Sequence, residues 1–197
     1  MSNPPVRSIG VYCGSSPAAD PAWLSAAADL GRDLAARDLR LVYGGGGIGL
    51  MGACARAARA AGGRVLGVIP EFLLAAEPPP ATVDVVVVAS MHARKMRMFE
   101  EADAFAVLPG GIGTLEETIE LLSWRRLGLH GKPLVFFSPG GFWDPLLALF
   151  QKFIDERLLP AVFVGGWRAV DEVAEVVPTL LAMSRETWTT PTVNSLI

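Results

Sequence analysis

AFAVLPGGIGTLEE, residues 104–117, decides the fold class. The continuous apolar run AFAVLP (104–109) reads as a strand with both faces covered, a situation characteristic of parallel sheets flanked by helices. A run of glycines follows, and then a helical pattern over 114–127. Outward from this stretch the same alternation repeats. SIGVYC (8–13), LRLVYG (39–44), RVLGVI (64–69), VDVVVV (83–88) and PLVFFS (133–138) read as buried strands. Amphipathic patterns over 21–36, 50–61, 91–101, 142–155 and 171–182 read as helices, and AVFVG (161–165) as one more short strand. Strand and helix in strict alternation predict right-handed βαβ units. The expected fold is therefore α/β, a Rossmann-like doubly wound, mostly parallel sheet in a single domain over 1–184, with a tail of mixed polarity over 185–197.

The chain totals exclude several classes. With 17 Lys+Arg against 20 Asp+Glu among 197 residues, nothing attracts nucleic acid or an anionic membrane surface. The apolar runs fall short of the ~18 residues that a membrane span requires. The start, MSNPPVRSIGVYCG, lacks a charged flank followed by a long apolar core, so no secretory signal is expected. Two cysteines, Cys13 and Cys54, have no metal-ligand spacing and read as buried thiols of a reducing compartment. A cytoplasmic protein without metal or resident cofactor is the expectation.

In open parallel sheets ligands bind outside the carboxyl ends of the strands. Three glycine-rich loops follow predicted strands there: CGSSP (13–17), YGGGGIGLMG (43–52) and LPGGIGTLEE (108–117). YGGGGIGLMG satisfies the dinucleotide fingerprint twice, with Glu71 near the place of a ribose-binding acid. It equally suits a tight turn that brings a helix close to the sheet. The 71–82 segment, EFLLAAEPPPAT, is a proline-stiffened loop placed to cover a site.

LPGGIGTLEE supports two accounts. In one, Gly110, Gly111, Gly113 and Thr114 expose backbone amides at a helix start, where an anion such as phosphate binds. In the other, Thr114 to Glu117 is a capping box, with Glu117 reaching back to the Thr114 N–H; spacing alone favours the cap. Upstream, ASMHARKMRMFEEAD (89–103) gathers His92, Arg94, Lys95 and Arg97 near a helix start, unfavourable for cations unless an anion is close. Arg94 and Arg97, three apart, can share a face, or the run can be a solvated surface paired with Glu100 and Glu101.

YGGGGIGLMG, SMHARK and PGGIGTLEE together resemble the Lonely Guy family of cytokinin riboside 5'-monophosphate phosphoribohydrolases, from about Ile9 to Leu181. The resemblance implies a Rossmann-like dimer that cleaves the N-glycosidic bond of a nucleoside 5'-monophosphate, releasing free base and ribose 5-phosphate. It implies Arg94 and Glu117 as catalytic residues. It further implies that Glu77, Lys95, Gly111, Ile112, Gly113, Thr114, Leu115, Glu116 and Ser123 contact substrate, with phosphate on the 110–114 loop. Many sequences of that family carry a lysine decarboxylase label, for which this sequence makes no case. Two rival readings remain: an NAD(P)-dependent oxidoreductase using YGGGGIGLMG, and a nucleotide or cofactor carrier without activity. A homodimer is expected, with Trp124, Trp143, Trp167 and Trp188 as sources of interface area.

Overall fold

A computed structural model describes residues 5–186. Seven strands form one parallel sheet: β1 (Ser8–Tyr12), β2 (Arg40–Tyr43), β3 (Val65–Pro70), β4 (Asp84–Val88), β5 (Ala104–Val107), β6 (Leu134–Phe137) and β7 (Arg168–Val170). Six helices connect or follow them: α1 (Pro21–Ala36), α2 (Gly49–Ala60), α3 (Met91–Glu101), α4 (Ile112–Arg126), α5 (Asp144–Asp155) and α6 (Val173–Met183). The strand order is β4-β3-β2-β1-β5-β6-β7. Chain order reverses between β1 and β5, which makes their junction the switch point where doubly wound proteins bind ligands.

The apolar runs become strands because both faces are covered. On one side, Ala27, Leu30 and Leu34 of α1, Leu50 and Cys54 of α2, and Val176 and Leu180 of α6 pack on Ile9, Val11 and Leu41. On the other, Met98, Leu121, Leu122 and Phe150 of α3, α4 and α5 pack on Phe105, Val107 and Phe136. Helices α1 and α2 lie especially close: a Cβ on Gly31 would stand 2.3 Å from the Cys54 carbonyl oxygen.

Asp103 fastens the two strands of the switch point at their starts. Its Oδ2 accepts from the Arg7 and Ser8 amides at 2.9 Å each and from the Ser8 hydroxyl at 2.8 Å. Removing the acceptor takes the partner from three donors, two of them part-buried. Asp103→Ala should therefore cost about 2 kcal/mol, lowering Tm by about 4–8 °C; an unchanged thermal melt would show the clip contributes nothing.

Two sequence expectations need correction. AVFVG is not a strand: 161–166 forms a 3₁₀ turn, and the seventh strand is RAV, paired through Arg168 with Val135. The turn is apolar because it is a lid on the core, with Phe163 against Phe150 and Trp167. Trp143 and Trp167 are buried inside the chain and cannot supply interface area; Trp124 packs edge-on against Phe99. Trp188 and most of the 185–197 tail lie outside the described residues. Exposed apolar side chains are instead carried by α4 and the turns after it, including Ile112, Ile119, Leu127 and Leu129.

Candidate active site

At the switch point the loops after β1 and β5 are tied together. The Gly14 amide donates to the Pro109 carbonyl at 3.0 Å, and the Leu50 amide at the start of α2 donates to the Gly14 carbonyl at 3.0 Å. Between these loops opens a cavity of about 320 Å³, lined by Cys13–Ser16, Met51, Leu73, Glu77, Arg94, Gly111–Thr114 and Glu117.

The loop after β5 enters α4 differently from the capping-box reading. Gly111 is the N-cap, with extended backbone and no side-chain cap bond, and the helix begins at Ile112. Thr114 lies inside the first turn, and its carbonyl accepts from the Thr118 hydroxyl at 2.7 Å. The helix starts two residues early because glycine at 111 serves as cap without a side chain. Glu117 is thereby carried into the second turn, away from any capping position. The amides of Ile112, Gly113 and Thr114 have no acceptor within the helix, while that of Leu115 reaches the Gly111 carbonyl at 3.0 Å. Side chains added at Gly111 or Gly113 would meet nothing within 4 Å. The helix start is thus an uncovered set of donors at the positive end of a helix dipole, suited to an anion.

Glu116 and Glu117, adjacent in sequence, point apart. Glu116 is exposed and pairs with Lys95 at 2.5 Å; Glu120 joins the same ammonium at 3.0 Å, so Lys95 ties α3 to α4 outside the cavity. Glu117 is buried and faces Arg94, with Oε1 3.6 Å from Nη1. The Arg94 guanidinium is itself buried. Its Nε donates to the Val68 carbonyl at 3.2 Å and Nη2 to the Gly44 carbonyl at 2.8 Å. Two carbonyls and one carboxylate supply the negative partners that the cation requires near a helix start. Arg97 does not share this environment: it is exposed and paired with Glu101 at 2.6 Å.

Burial pushes the Glu117 carboxyl up to about 7, with Arg94 and Lys95 opposing the rise and Glu116 and Glu77 adding to it. Between its ordinary value of 4.5 and about 7 the folded chain holds a proton that the unfolded chain has released. Stability therefore falls as pH rises through that window and levels off above it, by about 3 kcal/mol in all. Glu117→Gln should flatten this part of the stability profile; equal slopes in thermal melts of the two proteins from pH 4.5 to 8 would refute the assignment.

Of the residues singled out in the sequence, Glu77, Arg94, Gly111, Ile112, Gly113, Thr114 and Glu117 meet in the cavity. Gly110 lies beneath it, where a Cβ would strike the Thr114 hydroxyl at 2.2 Å. Lys95, Leu115 and Glu116 are not part of the cavity lining. Ser123 lines a separate apolar groove of about 400 Å³ with Ile119, Leu122, Phe150 and Phe163. His92 is exposed on α3, and Glu71 sits in an exposed 3₁₀ turn after β3, outside the cavity lining. Cys13, Gly14, Ser15 and Ser16 had a sequence signal, a loop leaving the first strand, but no residue pattern marked them as lining. Met51 and Leu73 lie in two stretches the sequence did flag, the glycine-rich loop 43–52 and the 71–82 segment, but neither was singled out as a lining residue. Among the described residues no three His, Cys, Asp or Glu side chains gather as around a metal ion, and no helix is long and apolar enough to cross a membrane.

Comparison with known proteins gives this geometry a family. Residues 51–180 match the family described as "Possible lysine decarboxylase". A probable cytokinin riboside 5'-monophosphate phosphoribohydrolase of Oryza sativa subsp. japonica is 42% identical over 89% of this chain and 77% of its own length. A second from the same plant is 46% identical over 78% of this chain and 68% of its own. A cytokinin riboside 5'-monophosphate phosphoribohydrolase of Arabidopsis thaliana is 43% identical over 81% and 74%. Among solved structures, the molybdenum cofactor binding protein of Rippkaea orientalis superimposes with a TM-score of 0.69 at 21% identity, covering 90% of this chain and 97% of that one. The molybdenum cofactor carrier protein of Chlamydomonas reinhardtii gives 0.66 at 22%, covering 90% and 99%. These two likenesses establish the shared fold.

Proposed function

The chain belongs to the family of cytokinin riboside 5'-monophosphate phosphoribohydrolases, and from that premise we propose that its cavity hydrolyses the N-glycosidic bond of a nucleoside 5'-monophosphate such as AMP or N6-prenyl-AMP. Water adds to the anomeric carbon, the C–N bond breaks, and the base leaves with a proton, giving free base and ribose 5-phosphate. The observation that carries this reading is one juxtaposition: uncovered amides at the start of α4 and, within the same cavity, the buried Glu117 carboxyl 3.6 Å from Arg94.

The amides of Ile112, Gly113 and Thr114 hold the phosphate, which fixes the sugar relative to the carboxylate. Rupture of the C–N bond develops positive charge on the sugar. Glu117, itself buried, stabilises that charge and takes the proton of the attacking water. Arg94 positions substrate and carboxylate through Nη1, the arm not engaged with Val68 or Gly44. Glu77 contributes a further polar contact from the proline-stiffened loop. The role for Glu117 needs its ionised form, so turnover should rise with pH through about 7.

Incubation of purified protein with AMP tests the reading. Adenine and ribose 5-phosphate are the expected products; AMP binding without release of adenine would replace the hydrolase with a carrier. Relative rates on AMP and isopentenyladenosine monophosphate then define the preferred base. The same reading makes the enzyme a homodimer, supported by the exposed Ile112 and Ile119 of α4, by Leu127 just after it and by the neighbouring apolar groove. Such a dimer would place Ser123 at the subunit contact, and a monomer by light scattering would contradict it. Two buried free thiols, Cys13 and Cys54, suit a cytoplasmic location.

A further inference from the structure

The loop after β2 opens the stretch YGGGGIGLMG (43–52) that matches a dinucleotide fingerprint in sequence, yet its first glycine, Gly44, is turned toward a protein side chain. The Gly44 carbonyl accepts from Arg94 Nη2 at 2.8 Å. A Cβ added at Gly44 would stand 2.0 Å from the same Nη2, 3.0 Å from Arg94 Cζ and 3.0 Å from the Met51 sulfur. The requirement is for space rather than for backbone conformation: the positive φ in this turn, +83°, belongs to Gly45, and Gly44 has none. Thioether chains yield readily. The guanidinium does not, because its Nε is held by the Val68 carbonyl and its remaining arm faces Glu117.

We propose that Gly44 is a positioning residue for Arg94, its carbonyl and its missing side chain together fixing where the guanidinium stands beside Glu117. The loop that reads as a phosphate cradle is on this account a seat for an arginine. The kinetic part of the proposal rests on the phosphoribohydrolase reading; the structural part does not.

Contacts under 3.0 Å are essentially never seen for real Cβ atoms, so Gly44→Ala must displace the guanidinium by about 1 Å, a shift that costs on the order of 10²-fold in turnover. The expected result is a kcat lowered by about that factor, with KM for AMP changed less than about 3-fold. The acid limb of the pH–rate profile should also move to higher pH. Glu117 faces Arg94 of α3 and shares the cavity with Glu77 of the β3–β4 loop; Lys95 of α3, Glu116 of its own helix, and Tyr12 and Cys13 at the end of β1 act on it electrostatically from further off. Moving Arg94 away weakens the larger of the two opposing cations, an effect that loosened packing alone would not produce.

A cycle of thermal melts at pH 6 separates this idea from the assigned activity. Gly44→Ala should lower Tm when Arg94 is present and have little effect in an Arg94→Met background, where no guanidinium remains to collide with. If Gly44→Ala alone does not fold, recovery of a cooperative melt in the double variant is the supporting outcome. Equal Tm losses in both backgrounds, or failure of both to fold, would overturn the proposal, as would a raised KM with kcat intact. Should the parent protein release no adenine from AMP, the hydrolase reading falls while the melting cycle still decides the role of Gly44.

Discussion

Glu117→Gln should abolish turnover of AMP, lowering kcat by about 10³-fold or more, while nucleotide binding survives with little change. The amide has nearly the volume of the carboxyl, so the cavity keeps its shape. It cannot carry the negative charge that a developing sugar cation requires, and it cannot accept a proton from water. In the proposed binding mode the phosphate rests on the backbone amides of 112–114 at the start of α4, so this side chain is not needed to hold it. Measuring kcat and equilibrium binding on one preparation separates the two contributions. Hydrolysis at more than a tenth of the parent rate would remove Glu117 from the chemistry.

Arg94→Met should have the second largest effect, with a signature set by pH. Losing one partner of a buried pair ordinarily costs about 3–5 kcal/mol, because a charge remains inside without compensation. Here the remaining partner can take up a proton. Near pH 6 Glu117, already raised to about 7 with Arg94 in place, is mostly protonated and the variant should lose little through that route. At pH 8 the carboxyl must either ionise without its main cation or hold its proton against solution, and the loss should approach about 3 kcal/mol. Turnover should fall about 10²-fold or more at pH 7, with the acid limb displaced upward. A stability loss identical at pH 6 and pH 8 would show that Arg94 and Glu117 do not interact as the geometry states.

Most of the sheet was legible because strands covered on both faces leave uninterrupted apolar runs, as in SIGVYC and AFAVLP. The failure at AVFVG shows the limit of that rule: β-branched and aromatic residues between Pro160 and Gly165 are needed equally by a turn closing over Phe150. The T-x-x-E spacing at 114–117 misled for a related reason. A capping box and a second-turn carboxylate aimed into a cavity share one spelling, and only the position of Gly111 as cap distinguishes them. The environment of Arg94 was not legible. Its acceptors are carbonyls at the ends of β3 and β2, 26 and 50 residues away in the chain, and carbonyls leave no mark on composition. Leu73 and Met51 sit in segments whose place near a site was legible, 71–82 and 43–52, but which side chain of each segment enters the lining depends on the path of the backbone.

The clip between Asp103 and the start of β1 has a consequence for how the protein is built. Strands β1 to β4 are contiguous in sequence and can assemble on local connections, but β5 must close a loop of more than 90 residues, from Ser8 to Asp103, to reach its place beside β1. Long closures of this kind are slow. Both walls of the cavity exist only after that closure, since Cys13–Ser16 comes from the first half and Gly111–Glu117 from the second. A nucleotide spanning them binds only the closed chain, so by mass action its binding energy adds to the stability of that seam; during refolding, saturating ligand should slow reopening of the seam far more than it speeds the search that forms it.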